Sequence, residues 1–170
     1  IYHIDINDRG LSSALLSTSL KSILHSLLQF KHKPSETLVE FNAMILSQDI
    51  VNLFVSCAVL QIDLEHNTLC FASAGHAGLW MNAENEYTCL HRQGIPLGIQ
   101  TKPNFEDWSQ ALVRGDFCLF NNSIHLANQL PDQHIYNQTN DLKDITNTIM
   151  NKAKEDNLDF DYCAWFIRIL

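Results

Sequence analysis

The stretch "LFVSCAVLQIDLEHNTLCFASA", residues 53–74, is where the sequence changes its period. It holds two β-branched and aromatic runs, 53–63 and 67–74, around the polar turn "DLEHNT". Runs of that kind joined by a short polar turn predict a β-hairpin. Upstream the spacing is different. Residues 1–6 read as a strand, and Leu16, Leu20, Ile23, Leu24 and Leu27 recur with helical spacing, predicting a helix over about 12–28. "KHKPSE" interrupts it, and a second helix is expected from Ser35, with Glu36 and Leu38, to about Ser47. Pro34 just before that start suits the first turn of a helix.

Downstream, "GLWMN" (78–82) and "EYTCLHR" (86–92) predict strands around the turn "NAENE". "FEDWSQALV" and "DFCLFN" flank "RGD" at 114–116 and predict a further hairpin. A polar segment, 128–141, leads to a helix with Leu142, Ile145, Ile149 and Ala153 on one face, and "FDYCAWFIRIL" closes as a buried strand. The order is strand, two helices, five or six meandering strands, helix, strand. Helices segregated from antiparallel strands define an α+β layout. The 170 residues, with no repeats and no linker, fit a single domain over 1–170. The sequence opens on Ile1, already inside a strand pattern, so the expectation is a fragment with at least one further segment upstream.

Composition narrows the function. Hydrophobic residues make up 46% and charged residues 18%, with only 6 Gly and 4 Pro, which suits a compact domain with much buried surface. The sequence has no apolar run near the roughly 20 residues that a membrane span needs. It does not start with a signal-peptide pattern, and a cytoplasmic protein is expected. A net charge of −8 argues against nucleic acid, which wants clustered Lys and Arg, and points to a protein partner or a small ligand. The cysteines, Cys57, Cys70, Cys89, Cys118 and Cys163, are odd in number and form no C-x-x-C pair. In strand-like surroundings they read as small buried hydrophobes in a reducing compartment, not as zinc ligands or disulfides. In such a compartment the sequons at Asn121 and Asn137 carry nothing.

Polar residues beyond the needs of a turn gather at four strand ends: Asp5 with Asp8 and Arg9, "SAGHAG" (73–78), "NNSIH" (121–125) and "DFD" (159–161). Gly75 and Gly78 around His76 suggest close backbone approach. His76 by itself reads as a histidine that satisfies loop backbone groups, because a metal ligand would need companions. Two acids and an arginine in "DINDRG" mark a turn that holds, or once held, a metal or an anion.

In succession, "IDINDRGLSSALL", "FNAMI", "FVSCAVLQIDLEHNTLCFASAGHAGLWM", "GIPLGI", "LVRGDFCLFNNSIHLA" and "FDYCAWFIRI" resemble the SpoIIE/RsbU-type branch of the metal-dependent type-2C serine/threonine phosphatases. That family reads D-V-S-G-H-G-x-x-A-A, N-A-G-H-x-P, G-x-P-L-G, G-D-x-x-x-x-Y-T-D-G and D-D-x-T in the same order. The resemblance implies an αββα sandwich, here lacking its first strand. It also implies two Mn²⁺ or Mg²⁺ ions held by acidic side chains, with a metal-bound water attacking phosphoserine or phosphothreonine. Anionic oxygens are required because two close divalent ions repel.

Residue by residue, Asp5 matches the first Asp and Gly10 the last Gly of the opening motif, while Asp8 stands for its first Gly and Arg9 for its His. His76 matches the N-A-G-H motif, Gly94 and Gly98 match G-x-P-L-G, and Asp116 matches the x-G-D turn. At T-D-G the ligand Asp is replaced by Asn122, and at D-D-x-T the ligating Asp is Phe160, followed by Asp161. An amide ligates weakly and without charge, and a phenyl ring cannot ligate. The resemblance places a further family Asp, in a G-D-F/Y-x-D motif, upstream of Ile1. Of the three metal carboxylates that can be matched in this sequence, Asp5 alone survives, with Arg9 standing as an internal counter-ion for Asp5 and Asp8.

The pattern is therefore similar to a degenerate member, and to the C-terminal domain of RssB-type response regulators. That likeness implies a pseudophosphatase effector with no catalytic residues and no cofactor, binding a protein such as a sigma factor or a sigma-factor regulator. Two alternatives stay open. One is an active Mn- or Mg-dependent phosphatase using Asp5, with Asp8, Asp159 and Asp161 rearranged around it. The other is a dimerisation module using the outer face of the first two helices.

Overall fold

A computed structural model of the chain describes residues 1–6, 11–30, 33–48, 53–75, 78–83, 86–91, 94–113, 117–121, 144, 147, 151 and 164–169. They form two compact units, Ile1–Ala77 with Arg92–Leu112 and Gly78–His91 with Val113–Leu170. In the first unit, β1 (Tyr2–Ile6) is followed by α1 (Leu11–Leu27), a 3₁₀ turn (Leu28–Phe30), α2 (Pro34–Ser47), β2 (Val55–Asp63) and β3 (Thr68–Ala74). The second unit contributes β4 (Gly78–Ala83) and β5 (Glu86–His91) before the chain returns to the first for β6 (Trp108–Ala111). It then finishes in the second with β7 (Phe117–Asn121) and β8 (Ala164–Arg168). Each unit holds a four-stranded antiparallel sheet, ordered β1-β2-β3-β6 and β5-β4-β7-β8.

The first sheet takes its form from alternation. Along β1, Tyr2, Ile4 and Ile6 pack on the core, so His3 and Asp5 point to the other face. On β2 and β3 the core face is Val55, Cys57, Val59, Ala72 and Ala74, joined by Leu20, Leu24 and Leu27 from α1 and Leu38, Phe41 and Ile45 from α2. Small residues on β3 sit where α2 lies closest to the sheet. Each fully buried Leu or Phe contributes about 1.5–3 kcal/mol. The opposite face of the same strands is also buried, at Ala58, Leu60, Leu69 and Phe71. This is why "CAVL" reads as a continuous apolar run where an alternating one would mark a half-buried strand.

The hairpins at "DLEHNT" and "NAENE" form as read, with Asp63 paired to Thr68 and Ala83 to Glu86. In the first, Asp63 Oδ1 accepts the backbone N–H of Glu65 (2.9 Å) and of His66 (3.0 Å). His66 Nδ1 lies 2.9 Å from Asp63 Oδ2. Asn67 closes the turn at φ 49°, a left-handed position that Asn tolerates.

The expected hairpin across residues 114–116 does not form. β6 pairs with β3, Phe71 against Trp108 and Thr68 against Ala111, whereas β7 pairs with β4 and β8. A turn signal marks a connection but not the partner. β3 presents a free edge to β6, and Leu112 N–H extends the contact by donating to the Asn67 carbonyl (2.7 Å). The five or six meandering strands are accordingly divided between two sheets. Asp144, Asn147 and Asn151 are helical, while the face expected to be apolar, Leu142, Ile145, Ile149 and Ala153, lies outside the described residues. Cys57 and Cys70 are free, and full burial pushes the Cys57 thiol well above its ordinary range. Cys163 lies outside the described residues. Among the described residues no helix is long and apolar enough to cross a membrane.

The second helix begins one residue earlier than its spacing suggests, with Pro34 in its first turn and Lys33 as N-cap. A lysine side chain cannot accept the orphan N–H groups of a first turn. Asp107, from the segment before β6, does so instead. Its Oδ1 accepts Ser35 N–H (2.8 Å) and its Oδ2 accepts the Ser35 hydroxyl (2.7 Å), while Glu36 accepts Lys33 N–H (3.1 Å).

Two outcomes follow from these turns and caps. Asp107→Ala removes the acceptor of the α2 first turn and is expected to lower stability by about 1 kcal/mol in urea unfolding, with Ser35→Ala costing less. At Asp63, hydrogen bonds from His66, then from Glu65, hold the carboxyl below its ordinary value. Its contribution is therefore complete above the ordinary carboxylate pKa near about 4 and is lost as pH falls through the depressed value. Thermal melts between neutral pH and pH 3 should show Asp63→Asn losing part of the wild-type acid dependence. Parallel curves would refute it.

Candidate functional site

Three motifs noted in the sequence meet at one end of the first sheet. β1 delivers Asp5 there, paired in register with Ser56 at the start of β2. β3 delivers Ser73, paired with Ala58, and ends at Ala74 before Gly75. By alternation His3, Asp5, Ser56 and Ser73 share the face opposite the helices. Asp5 is the exposed residue of β1. Burial lowers the His3 pKa, and the Asp5 carboxylate pulls it the other way. Ser73 Oγ is buried without a hydrogen-bond partner among the described residues.

The segment 94–100 closes over this end. Gly94 N–H reaches the Gly75 carbonyl (3.5 Å), and Leu97 exchanges two backbone hydrogen bonds with Val55 (2.9 and 3.0 Å). A Cβ on Gly94 would lie 3.1 Å from the Ser73 carbonyl oxygen, which explains a glycine there. Gly75, at φ 97°, needs to be glycine twice over, because a side chain would also run into Ser56. Asn42, 1% exposed on α2, accepts Gly98 N–H on Oδ1 (2.9 Å) and donates from Nδ2 to the Gln100 carbonyl (2.8 Å).

Of the residues singled out from sequence, Asp5, Gly94 and Gly98 are thus placed at or beside one sheet end. Asp8, Arg9, Gly10, His76, Asp116, Asn122, Phe160 and Asp161 lie outside the described residues, as does Asp159. Among the described residues no group of three or more His, Cys, Asp or Glu comes together to hold a metal. Sequence reading included Ser73 only as the first residue of "SAGHAG" and missed Ser56 and Asn42 as site residues. Asn42 carried a usable signal, a lone amide in the apolar run "FNAMIL", since buried polar side chains persist where they are hydrogen-bonded. Ser56 carried none, because a Ser inside a strand looks the same with or without a site.

The architecture is that of known phosphatases. The chain superposes on the PP2C phosphatase domain of the Bacillus subtilis cell-fate determinant SpoIIE with a TM-score of 0.70 at 13% identity, over 99% of this chain and 58% of that one. The S. agalactiae serine/threonine phosphatase gives a TM-score of 0.71 at 14% identity, over 99% of this chain and 86% of that one. The fold is therefore the α+β fold of the type-2C phosphatases. In sequence, the phosphoserine phosphatase RsbU of Bacillus subtilis (strain 168) is 24% identical over 123 residues, 71% of this chain and 37% of RsbU. The chain spans little more than a third of that relative. The family pattern described as Stage II sporulation protein E (SpoIIE) matches residues 1–121, and the chain belongs to the SpoIIE family.

Gly98 offers a direct check on the geometry of this end. It sits at φ 87°, and a Cβ there would lie 2.6 Å from the Leu53 carbonyl oxygen. Gly98→Ala is expected to cost about 1–3 kcal/mol, read from the urea midpoint, because the conformation and the space both reject a side chain. A near-neutral substitution would mean that the segment does not adopt this conformation.

Proposed function

We propose that residues 1–170 act as a single SpoIIE-type domain that has lost its metal centre and works by binding a protein. The observation that carries this reading is the set of residues at the ligand positions. Asp5 keeps its carboxylate, but Asn122 offers an uncharged amide and Phe160 a hydrocarbon ring. Beside Asp5, the face of the first sheet supplies Ser56 and Ser73, which are neutral hydroxyls. Among the described residues, one carboxylate and two hydroxyls do not fit a pair of divalent cations, whose mutual repulsion needs several anionic oxygens.

The partner class is a regulator of bacterial transcription: a sigma factor or a protein that controls one, with the domain serving as the output of a response-regulator type protein. The resemblance of the degenerate turn "DINDRG" to the C-terminal domain of RssB-type response regulators supports this class. Arg9 places a permanent positive charge beside Asp5 and Asp8 in the sequence, where the family holds cations.

A second reading, an active Mn- or Mg-dependent serine/threonine phosphatase, is favoured by the family itself and by RsbU, which is named a phosphoserine phosphatase. It would use Asp5 as its surviving ligand. Calorimetric titration of the whole chain with Mn²⁺ and with Mg²⁺, paired with hydrolysis of a phosphoserine peptide, separates the two. No heat at millimolar metal and no phosphate release are the expected results. Micromolar binding that Asp5→Asn abolishes, together with turnover, would establish the phosphatase instead.

A further inference from the structure

Asn42 is a fully buried side chain on a helix, and its amide is used at both ends, by Gly98 and by Gln100. We infer that Asn42 is the positioning residue that holds the 94–100 segment and the start of β2 as one local unit over the end of the sheet where Asp5, Ser56 and Ser73 lie.

The path is short and continuous. Asn42 fixes Gly98 and Gln100 by two hydrogen bonds of opposite sense, so the segment cannot slide without breaking both. Leu97, next to Gly98, is bound to Val55 by two backbone hydrogen bonds. Val55 adjoins Ser56, whose register partner is Asp5. The Val55–Leu97 contact is an isolated bridge, not part of a ladder, so no neighbouring strand bonds share its load. Gly98 is packed against the Leu53 carbonyl and the Ile45 side chain. A segment held by one amide, one two-bond bridge and the long Gly94–Gly75 hydrogen bond is expected to open as a unit, at a lower cost than the sheet behind it. How often it opens sets how often the Ser73–Gly75 strand end beneath Gly94 is uncovered.

Amide hydrogen exchange on the whole chain tests this. In Asn42→Ala, the amides of Gly98, Leu97 and Val55 should exchange roughly 10- to 100-fold faster, because a buried donor and a buried acceptor lose their partner. Those of Val59, Leu60 and Phe71 should not change. Unchanged exchange at all three reporter amides, or equal acceleration across the sheet, would overturn the assignment, the second by reducing Asn42 to a general stability residue. Should Asn42→Ala not fold, wild-type exchange in low urea replaces it. Gly98, Leu97 and Val55 must then share one opening free energy, distinct from that of Phe71, and separate values would overturn the inference.

Discussion

The constraint on which the first unit depends is the burial of β2 and β3 on both faces. Val55, Cys57 and Val59 face the helices while Ala58 and Leu60 on the alternate face are equally buried. A slip of one residue would exchange the two faces, and the small Cys57, Ala72 and Ala74 would no longer lie beneath the helices. The register is thereby fixed, and with it the arrival of Asp5 opposite Ser56. Site geometry here is a by-product of core packing, since nothing in Asp5 or Ser56 needs to attract the other for the two to meet.

Much of this was legible in the sequence, for identifiable reasons. The helical spacing of Leu20, Leu24 and Leu27 and the turn at Asp63–Thr68 are local signals, and both elements formed where local physics puts them. The pairing of β6 with β3 was not legible, because it is decided by which sheet edge is free once the chain has left for the other unit and returned. The start of α2 was misjudged by a residue for a related reason: its acceptor is Asp107, distant in sequence. At the candidate site, Asp5, Gly94 and Gly98 announced themselves through charge or through glycine spacing. Asn42 showed only as a lone amide in an apolar run, since a hydrogen bond to a loop leaves no periodic trace, and Ser56 did not show at all.

The same end of the sheet explains why loss of chemistry need not mean loss of fold. Gly75, Gly94 and Gly98 are required by backbone approach and by positive φ, and Asn42 by two buried backbone groups. None of those requirements involves a metal. The backbone scaffold at this end is therefore set independently of which side chains stand at the ligand positions.

The link between Asp107 and the start of α2 also bears on the order in which the chain assembles. The two ends of that contact are 72 residues apart, with β2 to β5 lying between them in the chain. A first helical turn whose acceptor comes from so far away cannot be finished by local nucleation, and the loop-closure cost is met only when the segment before β6 has come back to the sheet. The body of α2 is free to form early against β2 and β3, whereas its N-terminal turn is completed late. Contacts completed late are those that slow unfolding more than they speed folding. In the life of the protein, then, this cap acts chiefly on how long the folded domain lasts once made.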